Sequence, residues 1–429
     1  MSFQQGLSGL NASSKQLDAL GNNIANASTV GFKSSTTEFA DVFATSLSGG
    51  GGLQVGIGVQ VAAITQQFSQ GNVTSTNNPL DVAISGQGFF RLSNQGTVNY
   101  SRNGQFKLDN QGYIVNAAGA NLTGHPAING AISSGSLANL QIPTANLAPQ
   151  VTTTIGVGVN LDSRASVPAT ATFNPLDPTS YNQSTSLTLY DALGGEQNLG
   201  LYFAKTSDNH WDVYGTITNP SGTTTTLNYT AAVVGPPAVP ASTAPLGSLV
   251  FSASTGALTS STVALPAITT GQLGTGAAAL ANISATNFAL TGSTQFGTAF
   301  GLNALTQNGY TSGRPTGFSI GSDGIVTGRY SNGQSLQLGQ IQLSNFRNPN
   351  GLEPLGNNAW AETASSGQPL PGTPGSGSLG VLQASAVEES NVDLTKELVD
   401  MITAQRSYQA NAQTIKTQDQ VLQTLVNLR

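Results

Sequence analysis

The sequence contains no cysteine, which excludes disulfide bonds, thiol catalysis and cysteine-ligated zinc. Charge is also scarce, because only 8% of the 429 residues are Asp, Glu, Lys or Arg. The 14 Lys and Arg residues against 20 Asp and Glu give a net charge of -6. No basic cluster is present that could bind a phosphate backbone, so we predict no nucleic-acid partner.

Long hydrophobic runs are missing as well. No stretch of about 18 apolar residues occurs, so we predict no insertion into a membrane. The first basic residue is Lys15, and the N-terminal region has no continuous apolar segment. We therefore expect no cleaved secretory signal peptide.

Residues that could support catalysis are few and scattered. The two histidines, His125 and His210, lie in turn-like and strand-like surroundings, without the Gly-x-Ser-x-Gly elbow of a serine hydrolase. The glycine cluster Ser48–Val59 is not followed by the Gly-Lys-Ser/Thr and helix of a phosphate-binding loop, so we interpret it as a loop. No carboxylate pair stands out as a glycosidase site. We predict that the protein is not an enzyme and has no catalytic, cofactor-binding or metal site.

The polar part of the chain is mostly Asn, Gln, Ser, Thr and its 51 glycines, a composition typical of turn-rich β structure. Apolar residues alternate with polar ones in many short segments, which predicts strands. Asp323-Gly324 and Asn332-Gly333 are predicted hairpin turns between such strands, and "DNQG" is a third turn before Tyr113. The body of the chain is therefore predicted to be β structure.

The two ends of the chain have a different period. Near the N-terminus, apolar residues recur every seven positions, which predicts a helix with two seams. The main seam consists of Phe3, Leu10, Leu17 and Ile24. The thinner companion seam consists of Leu7, Ser14 and Gly21.

The C-terminal segment repeats this design, with Asn391 as the predicted N-cap and Asp393 in the first turn. Its main seam is Leu394, Met401, Tyr408, Ile415 and Leu422. Its companion seam is Leu398, Gln405, Ala412, Asp419 and Val426. Neither helix can bury its stripe alone, so the two pair with each other or pack against other chains. Gln405 and Asp419 favour further helical partners over a simple two-helix cap.

The predicted fold is mainly β with long terminal α-helices. We expect an elongated, nested chain, with paired, coiled-coil-like terminal helices and an outer β domain inserted into an inner one. The helical core domain is assigned to residues 1–30 and 381–429, and the connecting regions to 31–75 and 366–380. The middle β domain is assigned to 76–149 and 302–365, and the outer domain to 150–301.

Two long motifs carry a resemblance to a known family. "LSGLNASSKQLDALGNNIANASTVGFK", Leu7–Lys33, resembles the N-terminal motif of the flagellar axial proteins, the rod and hook family. Residues Glu389–Arg429 resemble the C-terminal motif of the same family, and Asp81–Leu92 and Asn103–Asn116 link the flanking β regions to it. Residues 150–301 contain no motif that we match.

The resemblance implies a structural subunit that self-assembles into the flexible tube of the flagellar hook, a universal joint that transmits torque. It implies an extracellular protein of the bacterial flagellum, exported by the type III apparatus without cleavage. The implied partners are further copies of the chain in a helical homopolymer, the distal rod, the hook cap, the hook–filament junction proteins and the export apparatus. The apolar seam residues of both helices then form the assembly interface.

The same resemblance gives a purpose to the interruption after the first helix. The chain has to turn outward from the helical layer, and Asn22, Asn23, Asn26 and Gly31 are residue types that allow such an exit turn. Two alternatives remain open. One is a distal rod subunit, although these are shorter and lack the inserted domain. The other is an extracellular β-rich binding module such as an adhesin, with a secreted hydrolase as a more distant possibility.

Overall fold

The structure is a computed structural model that describes residues 2–42, 56–128, 130–227, 244–273, 278–280 and 282–427, and it leaves out the side chains of residues 2, 271–272 and 425–427. The chain forms two compact units. The terminal unit comprises Met1–Thr144, Thr316–Arg329 and Ser335–Arg429, and the inserted unit comprises Ala145–Pro315 and Tyr330–Gln334. Most of the predicted glycine loop Ser48–Val59 lies outside the described residues.

The described part of the chain has three α-helices, namely α1 (Ser2–Ala25), the single-turn α2 (Thr270–Leu273) and α3 (Leu394–Asn427). None of these helices is long and apolar enough to cross a membrane. The strands are short, as expected for a chain with this many turn residues. The first strands are β1 (Ser35–Val42), β2 (Gly58–Gln66), β3 (Val73–Ser75), β4 (Val82–Ser85), β5 (Phe89–Asn94), β6 (Thr97–Ser101), β7 (Lys107–Leu108), β8 (Ile114–Val115), β9 (Asn121–Ile128), β10 (Ala131–Ile132) and β11 (Ala138–Asn139).

The strands of the inserted unit follow. They are β12 (Ile155–Asp162), β13 (Gln183–Tyr190), β14 (Glu196–Ser207), β15 (His210–Thr218), β16 (Thr224–Leu227), β17 (Gly247–Phe251), β18 (Leu258–Ser261), β19 (Phe288–Ala289), β20 (Thr294–Phe296) and β21 (Gly301–Gln307). The chain then completes the terminal unit. The last strands are β22 (Pro315–Ile320), β23 (Ile325–Tyr330), β24 (Ser335–Ile341), β25 (Leu343–Asn345), β26 (Glu353–Gly356), β27 (Ala359–Ala361), β28 (Leu370–Gly372), β29 (Val381–Ala384) and β30 (Ala386–Glu388). The predicted fold class, mainly β with two long terminal helices, is confirmed.

The terminal unit is built around one large sheet with strand order β22-β23-β24-β9-β5-β6-β27-β26. Late strands also pair with early ones, because β29 is antiparallel to β4 and β30 is antiparallel to β3. Strand β28 pairs with β25, so the segment 366–380, whose composition suggests a linker, contributes to the sheet. The two ends of the chain are therefore brought together by strand pairing as well as by the helices.

Strand β5 shows how the main sheet is buried on both faces. Successive residues of a strand point to opposite sides of the sheet. Phe90 packs in one apolar cluster, with its ring 5.2 Å from that of Phe106. Phe89 packs in a separate aromatic cluster, 5.7 Å from Trp360 and 5.9 Å from Phe346. Both phenylalanines are almost fully buried.

The inserted unit has a hydrophobic core of its own. Its larger sheet has the order β13-β14-β15-β17-β18, and its smaller sheet is built around β12. The core cluster contains Trp211, Phe203 and Phe251, and its buried members all lie between Ile155 and Leu290. The alternation of apolar and polar residues in the sequence predicts these strands. In the structure, the residues of β14 and β15 do alternate between the core and the outside.

Turn chemistry in the terminal unit also follows the sequence. Asp109 Oδ1 accepts hydrogen bonds from the backbone N–H groups of Gln111 and Tyr113, which closes the predicted turn between β7 and β8. Gly324 has a φ of 80°, as the predicted Asp-Gly hairpin requires. The predicted hairpins at these positions are confirmed.

The start of the C-terminal helix differs from the prediction. Asp393, not Asn391, is the N-cap, because its Oδ1 accepts hydrogen bonds from the N–H groups of Thr395 and Lys396 at 2.9 and 3.2 Å. Both residue types are good caps, and sequence alone did not rank them correctly. The Asn391 side chain instead accepts a hydrogen bond from Ser34 N and donates to Gln67 O.

Candidate assembly site

The two long helices pack closely where α1 has glycines. A Cβ atom on Gly9 would lie 2.7 Å from Nδ2 of Asn411, and one on Gly6 would lie 3.1 Å from Cγ1 of Ile415. The absence of side chains at these positions lets the backbone of α1 approach α3 directly. Most of the other buried residues of α1 lie at heptad positions from Gly6 or Gly9, and Ala12 is buried beside them. The residues at heptad positions are Ser13, Leu20 and Asn23.

This buried face of α1 is offset from the predicted apolar seams. The exposed residues of those seams are Phe3, Leu7, Leu394, Leu398, Gln405, Tyr408, Asp419 and Leu422. The half-buried ones are Leu10, Ser14, Leu17, Gly21, Ile24, Met401, Ala412 and Ile415. The side chain of Val426 lies outside the described residues. Helix α3 also exposes Val399, Ile402 and Val421, which heptad counting had not selected.

The end of α1 is held by asparagine side chains. Asn22 and Asn23 still belong to the last turn of the helix, and the turn itself begins at Asn26. Asn26 Nδ2 donates to Asn22 O at 2.9 Å. Asn23 is almost fully buried, and its carboxamide hydrogen-bonds with the backbone of Ser35 and with Glu397 of α3. Asn23 thus connects α1, the first strand and α3.

Gly31 lies where only glycine fits. Its φ is 72°, and a Cβ atom at this position would lie 2.6 Å from the backbone nitrogen of Asn103. Its N–H donates to the backbone carbonyl of Glu388 at 2.8 Å. The glycine therefore allows the segment after α1 to lie directly against the β body and against the strand that leads to α3.

A buried charged cluster lies beside Gly31. Lys33 Nζ is 2.7 Å from Glu388 Oε1, and Arg102 Nε is 3.3 Å from Glu388 Oε2. The side chains of Lys33 and Glu388 are 0% exposed, and that of Arg102 is 3% exposed. Burial lowers the pKa of both Lys33 and Arg102, while the neighbouring carboxylate of Glu388 opposes the shift in each case.

Backbone groups add hydrogen bonds to this charged cluster. Lys33 Nζ donates to the carbonyl of Ser69, and the Gly71 N–H donates to Glu388 Oε1. Arg102 donates to the carbonyls of Gly86 and Gly88. The cluster joins three segments that are distant in sequence, the chain after α1, the end of β6 and the end of β30. Sequence reasoning did not find it, although Lys33 closes the N-terminal motif.

Four family models match the chain. The model described as "Flagella basal body rod protein" matches residues 3–33, and "Flagellar hook protein FlgE/F/G D1 domain" matches 83–160. "Flagellar basal body protein FlaE D2 domain" matches 160–310, the region without a motif that we recognised. "Flagellar basal body rod FlgEFG protein C-terminal" matches 383–428.

The chain is similar along its whole length to known proteins. It is 46% identical to the flagellar hook protein FlgE of Salmonella typhimurium over 434 residues, which covers 100% of both chains. It is 45% identical to that of Escherichia coli and 32% identical to that of Borreliella burgdorferi, each covering 100% of this chain and at least 99% of the relative. The crystal structure of Helicobacter pylori flagellar hook protein FlgE2 matches 73% of this chain and 100% of its own, with a TM-score of 0.53 and 15% identity, which shows similarity of fold.

Proposed function

The chain belongs to the flagellar hook protein family, and on that basis we propose that its terminal helices are the surface through which copies of the chain assemble. The protein is a structural subunit of the flagellar hook, an extracellular part of the bacterial flagellum. We propose that its role is mechanical and not catalytic.

The observation that supports this proposal is the apolar surface that α3 leaves exposed. Leu398 is 49% exposed and Ile402 is 52% exposed, and α1 adds Phe3 at 45%. Fully burying such a side chain contributes about 1.5–3 kcal/mol, so covering the remaining half yields about 1 kcal/mol for each. A row of such residues on one helix is unusual for a monomer and typical of an interface between chains.

We also propose how the segments are arranged in the tube. Residues 1–30 and 381–429 form the inner core layer, 31–75 and 366–380 connect it to the next layer, and 76–149 with 302–365 form the middle layer. Residues 150–301 form the outer layer. The separate hydrophobic core of the inserted unit supports the assignment of residues 150–301 to a layer of their own. The core cluster of that unit shares no residue with the apolar cluster of the terminal unit.

Further partners follow from this location in the flagellum. We propose contacts with the distal rod at one end of the tube and with the hook cap and the hook–filament junction proteins at the other. The type III export apparatus delivers the chain. A role as a distal rod subunit is less well supported, because the match to the D2 domain model covers residues 160–310.

The test is a charge substitution on the exposed apolar face. Leu398→Asp should raise the protein concentration needed for tube formation at least about tenfold, because a carboxylate would have to be desolvated in the interface. Leu398→Met should assemble normally. Gln413→Asp introduces the same charge at an exposed polar position of α3 and is the matched control. Circular dichroism should show unchanged melting of the β units in all three variants. Normal assembly of Leu398→Asp would contradict the proposal.

A further inference from the structure

Glu388 is the only carboxylate that contacts either Lys33 or Arg102 among the described residues. The cluster therefore buries two cations with one anion. A single buried charge without compensation costs several kcal/mol, so the balance depends on Glu388. The cations are not equivalent, because Arg102 also has the carbonyls of Gly86 and Gly88, whereas Lys33 has only that of Ser69.

Glu388 also acts through its backbone. Its carbonyl accepts the Gly31 N–H at 2.8 Å, while its carboxylate holds Lys33 two residues further along the same segment. Glu388 ends strand β30, six residues before α3 begins, and Gly31 lies six residues after α1 ends. Glu388, in the segment that leads into α3, thus holds the segment that leaves α1 through both its backbone and its side chain.

We propose that Glu388 is the positioning residue that sets the two terminal helices in the arrangement needed for assembly. This inference rests on the proposed function of those helices. The segment after α1 contributes Lys33, and the segment before α3 contributes the Glu388 carboxylate that neutralises it. The docking of each segment therefore depends on the other. The seating of α1 and α3 on the body is therefore cooperative.

The charge balance predicts that a second substitution in this cluster can partly rescue the first. Glu388→Gln keeps the shape of the side chain but leaves two like charges buried side by side. Lys33→Met leaves the neutral Arg102–Glu388 pair, so its effect should be small. Adding Lys33→Met to Glu388→Gln removes one of the two uncompensated cations, and the remaining Arg102 keeps its carbonyl acceptors. The second substitution should therefore partly rescue the first.

The experiment measures the concentration at which the full-length chain forms tubes, together with thermal melting of the β units. Glu388→Gln should raise that concentration at least about thirtyfold, and Lys33→Met by less than about fivefold. The double variant should recover most of the loss. Glu388→Asp, which keeps the charge on a shorter side chain, should lie between the wild type and Glu388→Gln.

The outcomes separate this inference from the proposed function. Normal tubes from Glu388→Gln, or a double variant as impaired as the product of the two single effects, would overturn the role of Glu388. The Leu398→Asp test would be unaffected by either result. If Glu388→Gln yields no folded protein, recovery of folded protein in the double variant supports charge compensation, and failure to recover it contradicts the proposal.

Discussion

Asn23 and Ser35 are joined by two hydrogen bonds of 2.9 Å, one from Asn23 Nδ2 to the Ser35 carbonyl and one from the Ser35 N–H to Asn23 Oδ1. The side chain thereby occupies the place that a neighbouring strand would take at the start of β1. A helix and a strand separated by only nine residues are fixed to each other through one carboxamide.

This pair gives the first prediction. Asn23→Ala should destabilise the docking of α1 by about 2 kcal/mol or more, because it leaves two backbone groups of Ser35 without partners. Asn22→Ala is the matched control, since Asn22 is its exposed neighbour in the same helical turn. Hydrogen exchange of the Ser35 amide measures the effect. Equal exchange in both variants would show that the pair does not hold the strand.

The second prediction concerns Gly31. Gly31→Ala should prevent the segment after α1 from seating, because the new Cβ would clash with the backbone of Asn103 and the residue would have a φ of 72°. Gly333→Ala separates these causes, since Gly333 has a φ of 79° with open space around it. The control should cost only about 1 kcal/mol. Tube formation and thermal melting measure the difference, and similar losses in both variants would rule out the clash.

The third prediction concerns alkaline pH. Burial, with the nearby Glu362 carboxylate, raises the pKa of Tyr100 to about 12, and its hydroxyl donates to Glu362 at 3.1 Å. In the unfolded chain the phenol ionises near pH 10, about two units lower. Stability from the neutral phenol is thus complete below about pH 10 and is lost as the pH rises towards 12.

Denaturant unfolding at pH 9 and pH 11 measures this loss. The chain has two tryptophans, one in each unit, so Trp211→Phe leaves Trp360 as the reporter of the terminal unit. The free energy of unfolding should fall by an amount on the order of 1 kcal/mol more in the chain with Tyr100 than in Tyr100→Phe. Parallel pH profiles for the two would refute the role of Tyr100.

The fourth prediction concerns removal of the inserted unit. Gln150 and Tyr310 are backbone hydrogen-bonded to each other in both directions, at 2.9 Å each. Replacing residues 151–309 with an Asn-Gly turn should therefore preserve the paired chains and remove a complete core. We expect cooperative unfolding of the remaining unit by Trp360 fluorescence.

Assembly of the same deletion variant tests the proposed layers. If the inserted unit is the outer layer, tubes should still form but should be straighter, because the outermost layer changes its spacing most when a tube bends. Electron microscopy measures this. A folded variant that forms no tube would contradict the assignment of residues 150–301 to the outer layer.

Sequence patterns predicted the parts of the fold that depend on local chemistry. Hairpin turns such as Asp323-Gly324 follow from the φ values that glycine allows, and the terminal helices follow from heptads of apolar residues. The contact face of α1 did not follow, because Gly6 and Gly9 count as gaps in an apolar pattern. Their role appears only when the backbone of a second helix lies against them.

The charged cluster could not be predicted for a different reason. Lys33 and Glu388 are 355 residues apart, and no local period connects them. Lysine and glutamate are also residue types that normally lie at the surface. The only signal in the sequence was the position of Lys33 at the end of the N-terminal motif.

The rings of Phe89 and Phe90 pack in separate clusters on the two faces of β5. This arrangement also disfavours pairing of β5 in a wrong register. If β5 slipped by one residue in one direction, Arg91 would enter the position of Phe90 and bury a cation among apolar side chains. A slip in the other direction would put Gly88 where the ring of Phe89 belongs and would leave a hole that costs about 3–5 kcal/mol. A shift of one residue in either direction is therefore destabilising, and the native register of β5 is strongly specified during refolding.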